Sequence, residues 1–164
     1  MKPLPHPNNK FLEAAEGWLG LGNYLEANEE LEKIEPKLRA HPAVLEIRYK
    51  IYSGANKWEM ALGVAEGMIG MLPENSWGYF YSAFALHELK RTEEAYEVVK
   101  AVIHKFPDHQ IMHYNLACYA CQIGKLEDAM VLLEMAIDMK GLDIRTMALE
   151  DPDLEPLWEK IGEV

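Results

Sequence analysis

Basic residues and long apolar runs are scarce in this chain of 164 residues. Its 16 lysines and arginines stand against 27 acidic residues, and the formal net charge of −11 argues against surfaces for nucleic-acid phosphates or anionic lipids. No apolar run approaches the roughly 20 residues of a membrane-spanning helix, and the first ten residues lack the apolar core of a secretory signal. We therefore expect neither a nucleic-acid partner nor a membrane partner.

Cysteine is equally scarce, because the chain has only Cys118 and Cys121, three positions apart. A disulfide-stapled secreted domain has more cysteines at wider spacing, so we predict a cytoplasmic protein. A zinc site needs a second cysteine pair or two histidines, and His87, His109 and His113 make one conceivable. Small buried cysteines that fill a core are far more common. We expect no metal and no cofactor.

What the chain does contain is a period of 34 residues. Ala27, Ala61, Ala95 and Ala129 end the similar segments GNYLEA, NKWEMA, KRTEEA and GKLEDA. A period of this length over most of a chain is typical of stacked repeats. Amphipathic patterns of about 12–15 residues alternate with short breaks, without β-type alternation. The sequence therefore predicts eight helices in four hairpins, followed by a C-terminal tail.

The two ends of the chain differ from the repeats. Three prolines and two asparagines in residues 2–9 predict a flexible leader, with Asn8 or Asn9 as the N-cap of a helix that begins near Phe11. In the tail, Asp151 or Asp153 is a candidate N-cap for a short helix that would cover the last hairpin. The apolar residues of that helix recur at three- and four-residue steps: Leu154, Leu157, Trp158 and Ile161.

The 34-residue helix–turn–helix unit resembles the tetratricopeptide repeat (TPR). The third unit has the packing residues of that family at Tyr79, Ala83, Leu86, Ala95, Val99, Val102 and Pro107. Tyr49 in the second unit departs from the pattern, which usually has a small residue there. The resemblance implies an all-α fold, a right-handed α-solenoid of about four TPR-like hairpins with a C-terminal capping helix. The expected boundaries are a leader at 1–9, repeats at 10–41, 42–75, 76–109 and 110–141, and a capping segment at 142–164.

The resemblance also implies that the first helix of each hairpin lines a concave groove. Fixed offsets before the period-marking alanines then predict the residues of a peptide-binding groove: Lys50, Trp77, Phe80, Tyr81, Phe84, His87, Tyr114, Asn115 and Cys118. A contiguous exposed aromatic surface favours a partner, since apolar burial yields about 25 cal/mol per Å². The alternative is that these rings pack on each other or under the C-terminal tail.

Two kinds of chemistry are excluded by residue type. Some TPR proteins hold a C-terminal carboxylate with Lys, Arg and Asn, but the matching positions here are Leu12, Glu16, Ile47, Trp77 and Tyr81. We find no nucleophilic triad, Gly-rich phosphate loop or paired-carboxylate site, so we expect no enzyme and no catalytic residue. His104, His109 and His113 are expected to be solvated loop histidines.

The resemblance therefore implies a non-enzymatic protein-interaction scaffold that binds an apolar or aromatic peptide in its groove. Its acidic rim would favour basic residues that flank the bound segment. A small acidic TPR-type chaperone for a secreted client protein is the alternative, and such chaperones often dimerise through their N-terminal helices. Self-association, with the groove filled by a neighbour's leader or tail, is a third hypothesis and would make the protein a homodimer.

Overall fold

The computed structural model describes residues 3–163, and every regular element in that range is a helix. The α-helices are α1 (Asn8–Gly20), α2 (Tyr24–Glu32), α3 (Pro42–Gly54), α4 (Trp58–Met71), α5 (Ser76–Glu88), α6 (Thr92–Val102), α7 (Gln110–Gln122), α8 (Leu126–Asp138), α9 (Ile144–Glu150) and α10 (Trp158–Glu163). Short 3₁₀ helices cover Pro36–Leu38, Ile103–Lys105 and Pro152–Leu157. The predicted all-α class is confirmed, and none of these helices is long and apolar enough to cross a bilayer.

The turns inside the hairpins repeat with the same 34-residue period. A residue with positive φ occupies the same place in each: Gly22 (73°), Asn56 (55°), Lys90 (63°) and Gly124 (80°). In the first turn Gly22 N–H donates to the Leu19 carbonyl and Asn23 N–H to the Trp18 carbonyl, both at 2.9 Å, and equivalent bonds recur in the other three. This pattern ends a helix in a left-handed residue and satisfies its last carbonyls.

The period-marking alanines lie one turn into each second helix and are completely buried. Ala27, Ala61, Ala95 and Ala129 each have 0 % exposure. Their N–H groups donate to the residue that precedes each helix, as Ala27 N–H does to the Asn23 carbonyl at 3.0 Å. A methyl side chain allows the close helix–helix approach that a larger residue would prevent, which explains the regular alanines.

The chain divides into two compact units, one that ends at Ala85 and one that begins at Leu86. In the first unit, α1 packs on α2, α3 packs on α4, and α3 also contacts α1 and α2. The core of α1–α3 contains Leu31, Ile34, Val44 and Ile51, each at most 2 % exposed.

The N-terminal segment differs from expectation where the structure describes it. Leu4 is 8 % exposed and belongs to the core of the first unit. The first helix begins at Asn8 rather than near Phe11, and neither asparagine caps it, because Pro7 holds the N-cap position. Instead Asn8 accepts a 2.8 Å hydrogen bond from Glu35 N–H and donates to the Glu35 carboxylate at 3.2 Å. Met1 and Lys2 of the predicted leader lie outside the described residues.

In the second unit, α7 packs on α6, on α8 and on the 3₁₀ helix Pro152–Leu157. The sequence predicted one short helix in the tail, whereas the structure has α9, this 3₁₀ helix and α10 in succession. Asp151 caps the 3₁₀ helix by accepting from Asp153 N–H at 3.0 Å, and Leu154, Leu157 and Ile161 are at most 1 % exposed, as the apolar pattern predicted. Val164 lies outside the described residues.

Candidate functional site

An aromatic face in the first unit consists of Trp77, Phe80, Tyr81 and Phe84, all on α5. The three- and four-residue steps between them place the four side chains on one side of this helix. Ring centroids are 5.4 Å apart for Trp77 and Phe80, 5.6 Å for Phe80 and Tyr81, and 5.7 Å for Trp77 and Tyr81. These spacings lie in the range of favourable aromatic pairs, so the rings form one cluster.

Exposure differs sharply within the aromatic face. The Trp77 side chain is 45 % exposed. The backbone N–H of Trp77 donates to Asn75 Oδ1 at 2.9 Å, which fixes the chain at the start of α5. Phe80 and Phe84 are half-buried, and their rings stack with centroids 6.4 Å apart. Trp77 is therefore the ring of this face that solvent reaches most.

Tyr81 is buried and connects α5 to α3. Its ring stacks on Tyr49 with centroids 4.2 Å apart, and the Tyr49 hydroxyl donates to the Tyr81 carbonyl at 3.0 Å. Burial, and to a smaller extent the charge of Glu46, raises the pKa of Tyr81 to about 12. Tyr81 therefore packs between Tyr49 and the more exposed rings of α5. For this residue the structure agrees with the predicted alternative, in which the rings pack on each other.

Phe84 is supported by a second ring that the sequence offsets did not select. The Trp58 ring lies edge-on to Phe84 with centroids 5.8 Å apart. Because Trp58 belongs to α4 and Tyr49 to α3, two other helices of the unit hold the aromatic face in place.

Lys50 lies on α3 and forms an ion pair with Glu46. Its Nζ is 2.6 Å from Glu46 Oε1, and both side chains are more than two-fifths exposed. An exposed pair one helical turn apart contributes about 1 kcal/mol or less, so this lysine is available for other interactions.

Tyr114 and Cys118, predicted for the same groove, lie on α7 under the C-terminal segment. Each is 4 % exposed. The Tyr114 hydroxyl donates to Asp151 Oδ2 at 2.5 Å, and Cys118 Sγ lies 3.7 Å from the same oxygen. For Tyr114 the structure therefore agrees with the predicted alternative, in which the C-terminal tail covers rings of the groove.

Two further contacts attach the same segment. His87 Nε2 is 3.0 Å from Asp153 Oδ2, and Gln122 donates to the Asp153 carbonyl at 2.9 Å. His87 also packs on the Tyr119 ring, with centroids 5.2 Å apart. Asn115, the last predicted residue, is half-buried and lies 3.5 Å from the Tyr119 hydroxyl.

The two cysteines lie on α7, away from solvent. Both thiols are free and buried, and burial raises the pKa of each, which disfavours the nucleophilic thiolate. Within residues 3–163 no three metal-binding side chains form a group. Of the three histidines predicted to be solvated, His104 is exposed, but the prediction was wrong for His113, which is only 5 % exposed on α7 and whose pKa is lowered by burial.

Several residues that shape the site were absent from the predicted groove. The sequence marked Tyr49 as unusual, because a tyrosine stands where the repeat pattern expects a small residue. Asp151 and Asp153 were considered as helix caps, but a cap needs only local spacing, and their contacts with Tyr114 and His87 join distant parts of the second unit. No local pattern could have found those contacts.

Comparison with solved structures shows the fold. A thermophilic TPR protein of Thermus thermophilus matches with a TM-score of 0.71 at 18% identity, over 94% of this chain and 83% of that one. A Podosopora anserina protein, described as a kinesin light chain with nearly identical TPR-like repeats, matches with a TM-score of 0.69 at 17% identity. The match covers 98% of this chain and 90% of that one. A single-substitution variant of that protein matches with a TM-score of 0.67 at 19% identity, over the same shares of the two chains. No protein-family model and no curated sequence matches the chain.

The chain therefore has the fold of TPR and TPR-like repeat proteins over nearly its whole length. This fold is typical of protein-interaction scaffolds and is usually non-catalytic. The predicted resemblance is confirmed for the fold. It extends no further, because a structural match at below 20% identity does not transfer a ligand or partner from one protein to another.

Proposed function

We propose that this protein is a non-enzymatic scaffold that holds an apolar or aromatic peptide segment against the aromatic face. The half-exposed indole of Trp77, at the edge of a supported ring cluster, carries the proposal. Covering the exposed part of one such side chain is worth about 2–3 kcal/mol, and the half-buried Phe80 and Phe84 add to it.

The proposed contact set is narrower than the groove predicted from the repeat. It consists of Trp77, Phe80 and Phe84, with Tyr81 as their support and Lys50 of α3 as a further member. Tyr114 and Cys118 are left out because the C-terminal segment covers them. The free thiols of Cys118 and Cys121 support a cytoplasmic place of action, where thiols stay reduced.

A peptide selection with two matched tryptophan variants tests this function. Random 12-residue peptides displayed on phage are selected against the full chain, and the enriched ones are measured against Trp77→Ala and Trp18→Ala. Trp18 is 37 % exposed on α1 and lies outside the predicted groove-facing positions, so it controls for loss of an exposed indole. We expect enriched apolar or aromatic peptides, weakened at least about tenfold by Trp77→Ala and unchanged by Trp18→Ala. Equal effects of the two variants, or no enrichment, would contradict the proposal.

A further inference from the structure

We propose that the aromatic face and Glu46 together bind the guanidinium of an arginine in the partner peptide. This inference rests on the proposed function, because it names the side chain that would anchor the same segment. It names one side chain of that segment and the groups that would hold it.

Glu46 lies on α3, the helix that contacts Tyr81 of α5 through Tyr49. One helical turn after it comes Tyr49, whose ring stacks on Tyr81. Position 46 is also one 34-residue period before Phe80. Burial and, to a smaller extent, the charge of Glu46 raise the pKa of Tyr81, which agrees with a carboxylate on this side of α3.

Carboxylates outnumber ammonium groups at the groove-side positions of α1 and α3 and their ion-pair partners. By the offsets of the repeat, Glu13, Glu16 and Glu46 are expected on the groove side of α1 and α3. Two of them are paired with lysines, Glu13 with Lys10 at 3.1 Å and Glu46 with Lys50 at 2.6 Å. An electronegative surface beside indole and phenyl rings complements a cation and repels an acidic peptide.

The rings supply the second half of the interaction. A cation over an aromatic face is attracted by the ring quadrupole, and tryptophan is the strongest acceptor. Trp77 is the most exposed ring of the cluster. Arginine fits better than lysine, because its planar guanidinium stacks on an indole while its N–H groups donate to a carboxylate.

The chain already holds one cation at this carboxylate. Lys50 Nζ bonds to Glu46 Oε1 at 2.6 Å, while the two side chains remain 43 % and 46 % exposed. An incoming guanidinium therefore meets a competitor that is held weakly. Removal of Lys50 should strengthen arginine binding, whereas a purely apolar site would not respond.

The test is an NMR titration of the 15N-labelled full chain with N-acetyl-arginine methylamide. N-acetyl-citrulline methylamide is the control, since it has nearly the same shape without the charge. The indole N–H signals of Trp77 and Trp18 are followed. We expect the arginine compound to shift the Trp77 signal saturably, to leave Trp18 unchanged, and to bind about five- to tenfold more tightly than the citrulline compound. Equal responses to both compounds, or no Trp77 response, would overturn the inference.

Charge variants sharpen the test. Glu46→Gln should weaken binding of the arginine compound about two- to fivefold, and Lys50→Met should strengthen it by a similar factor. The matched control is Lys33→Met, which removes an exposed lysine from another ion pair, Lys33 with Glu30 at 2.7 Å. If Lys33→Met strengthens binding as much as Lys50→Met, the effect is one of net charge and the inference fails.

The outcomes separate this inference from the proposed function. Selected peptides that depend on Trp77 but contain no arginine or lysine would leave the scaffold function standing and reject the arginine anchor. Absence of any Trp77-dependent peptide would reject the scaffold function, while the titration decides separately whether the face recognises a guanidinium.

Discussion

The hydroxyl of Tyr114 donates a 2.5 Å hydrogen bond to Oδ2 of Asp151, a residue 37 positions later in the chain. Burial and the nearby Asp151 carboxylate raise the pKa of Tyr114, so its hydroxyl stays a donor. The bond attaches the C-terminal segment to α7 and keeps a residue predicted for the groove away from solvent.

Tyr114→Phe is expected to loosen this attachment. Removal of the donor from this partly buried pair should cost about 1–3 kcal/mol. Amide hydrogen exchange should then accelerate in residues 142–163 and stay unchanged in α1 and α2. A double-mutant cycle with Asp151→Asn, which keeps a capping side chain, isolates the pair. Additive effects would show that Tyr114 and Asp151 are not coupled.

Acid should destabilise the second unit through His113. Burial lowers the pKa of this histidine despite the opposing effect of the Phe106 and Pro107 carbonyls. The unfolded chain therefore binds more protons than the native one, and stability falls as the pH drops through about 6.5 toward the lowered native pKa. For each additional proton bound the slope is about 1.4 kcal/mol per pH unit.

Urea unfolding at pH 7.5 and 5.5 measures this effect. The loss between the two pH values should be smaller in His113→Gln than in the unchanged chain. His104→Gln is the control, because His104 is exposed. An unchanged loss in His113→Gln would assign the acid sensitivity to other groups, of which His109 is the first, since burial lowers its pKa as well.

The left-handed turn residues predict substitutions of opposite sign. Lys90 has a φ of 63°, so Lys90→Gly should stabilise the chain by about 1 kcal/mol. Gly124 has a φ of 80° with open space around its missing Cβ, so Gly124→Ala should destabilise by about 1–2 kcal/mol through backbone strain alone.

Gly67→Ala is the control for these turn variants. Gly67 lies inside α4, also with open space around its missing Cβ. There the same glycine-to-alanine change should stabilise by up to about 1 kcal/mol. Thermal unfolding checks all three variants, and a stabilising Gly124→Ala would contradict the left-handed turn.

The period-marking alanines predict a strong dependence on size. Ala95→Leu should destabilise the chain by about 1–3 kcal/mol or more, because Ala95 has 0 % exposure in a closely packed position of α6. Ala101→Leu on the same helix is exposed and should be nearly neutral. Urea unfolding of both variants distinguishes them, and equal costs would mean that Ala95 is not a close-approach position.

Much of the fold was predictable because its cause is local. The spacing of Ala27, Ala61, Ala95 and Ala129 predicted the hairpins, and all four are buried. The start of α1 was predicted wrongly, because Asn8 had the side chain of a helix cap but bonds to Glu35, 27 residues away. Local propensity yielded there to a tertiary contact.

The candidate site was predictable in position but not in exposure. The offsets selected Trp77 and Tyr81 from the same helix, yet one is 45 % exposed and the other 9 %. The difference comes from Tyr49, which stacks on Tyr81 from a separate helix. The sequence marked Tyr49 only as an unusual residue at its position.

By itself, the sequence determined an all-α chain of repeated hairpins, because helix periodicity and close-approach alanines act within one repeat. Only the tertiary structure decided which predicted groove residues stay open. Phe80 and Tyr114 occupy equivalent positions one period apart, yet Phe80 remains half-exposed while Tyr114 is 4 % exposed and bonds to Asp151. Exposure depends on which distant segment packs over a side chain, and the 34-residue period carries no information about that.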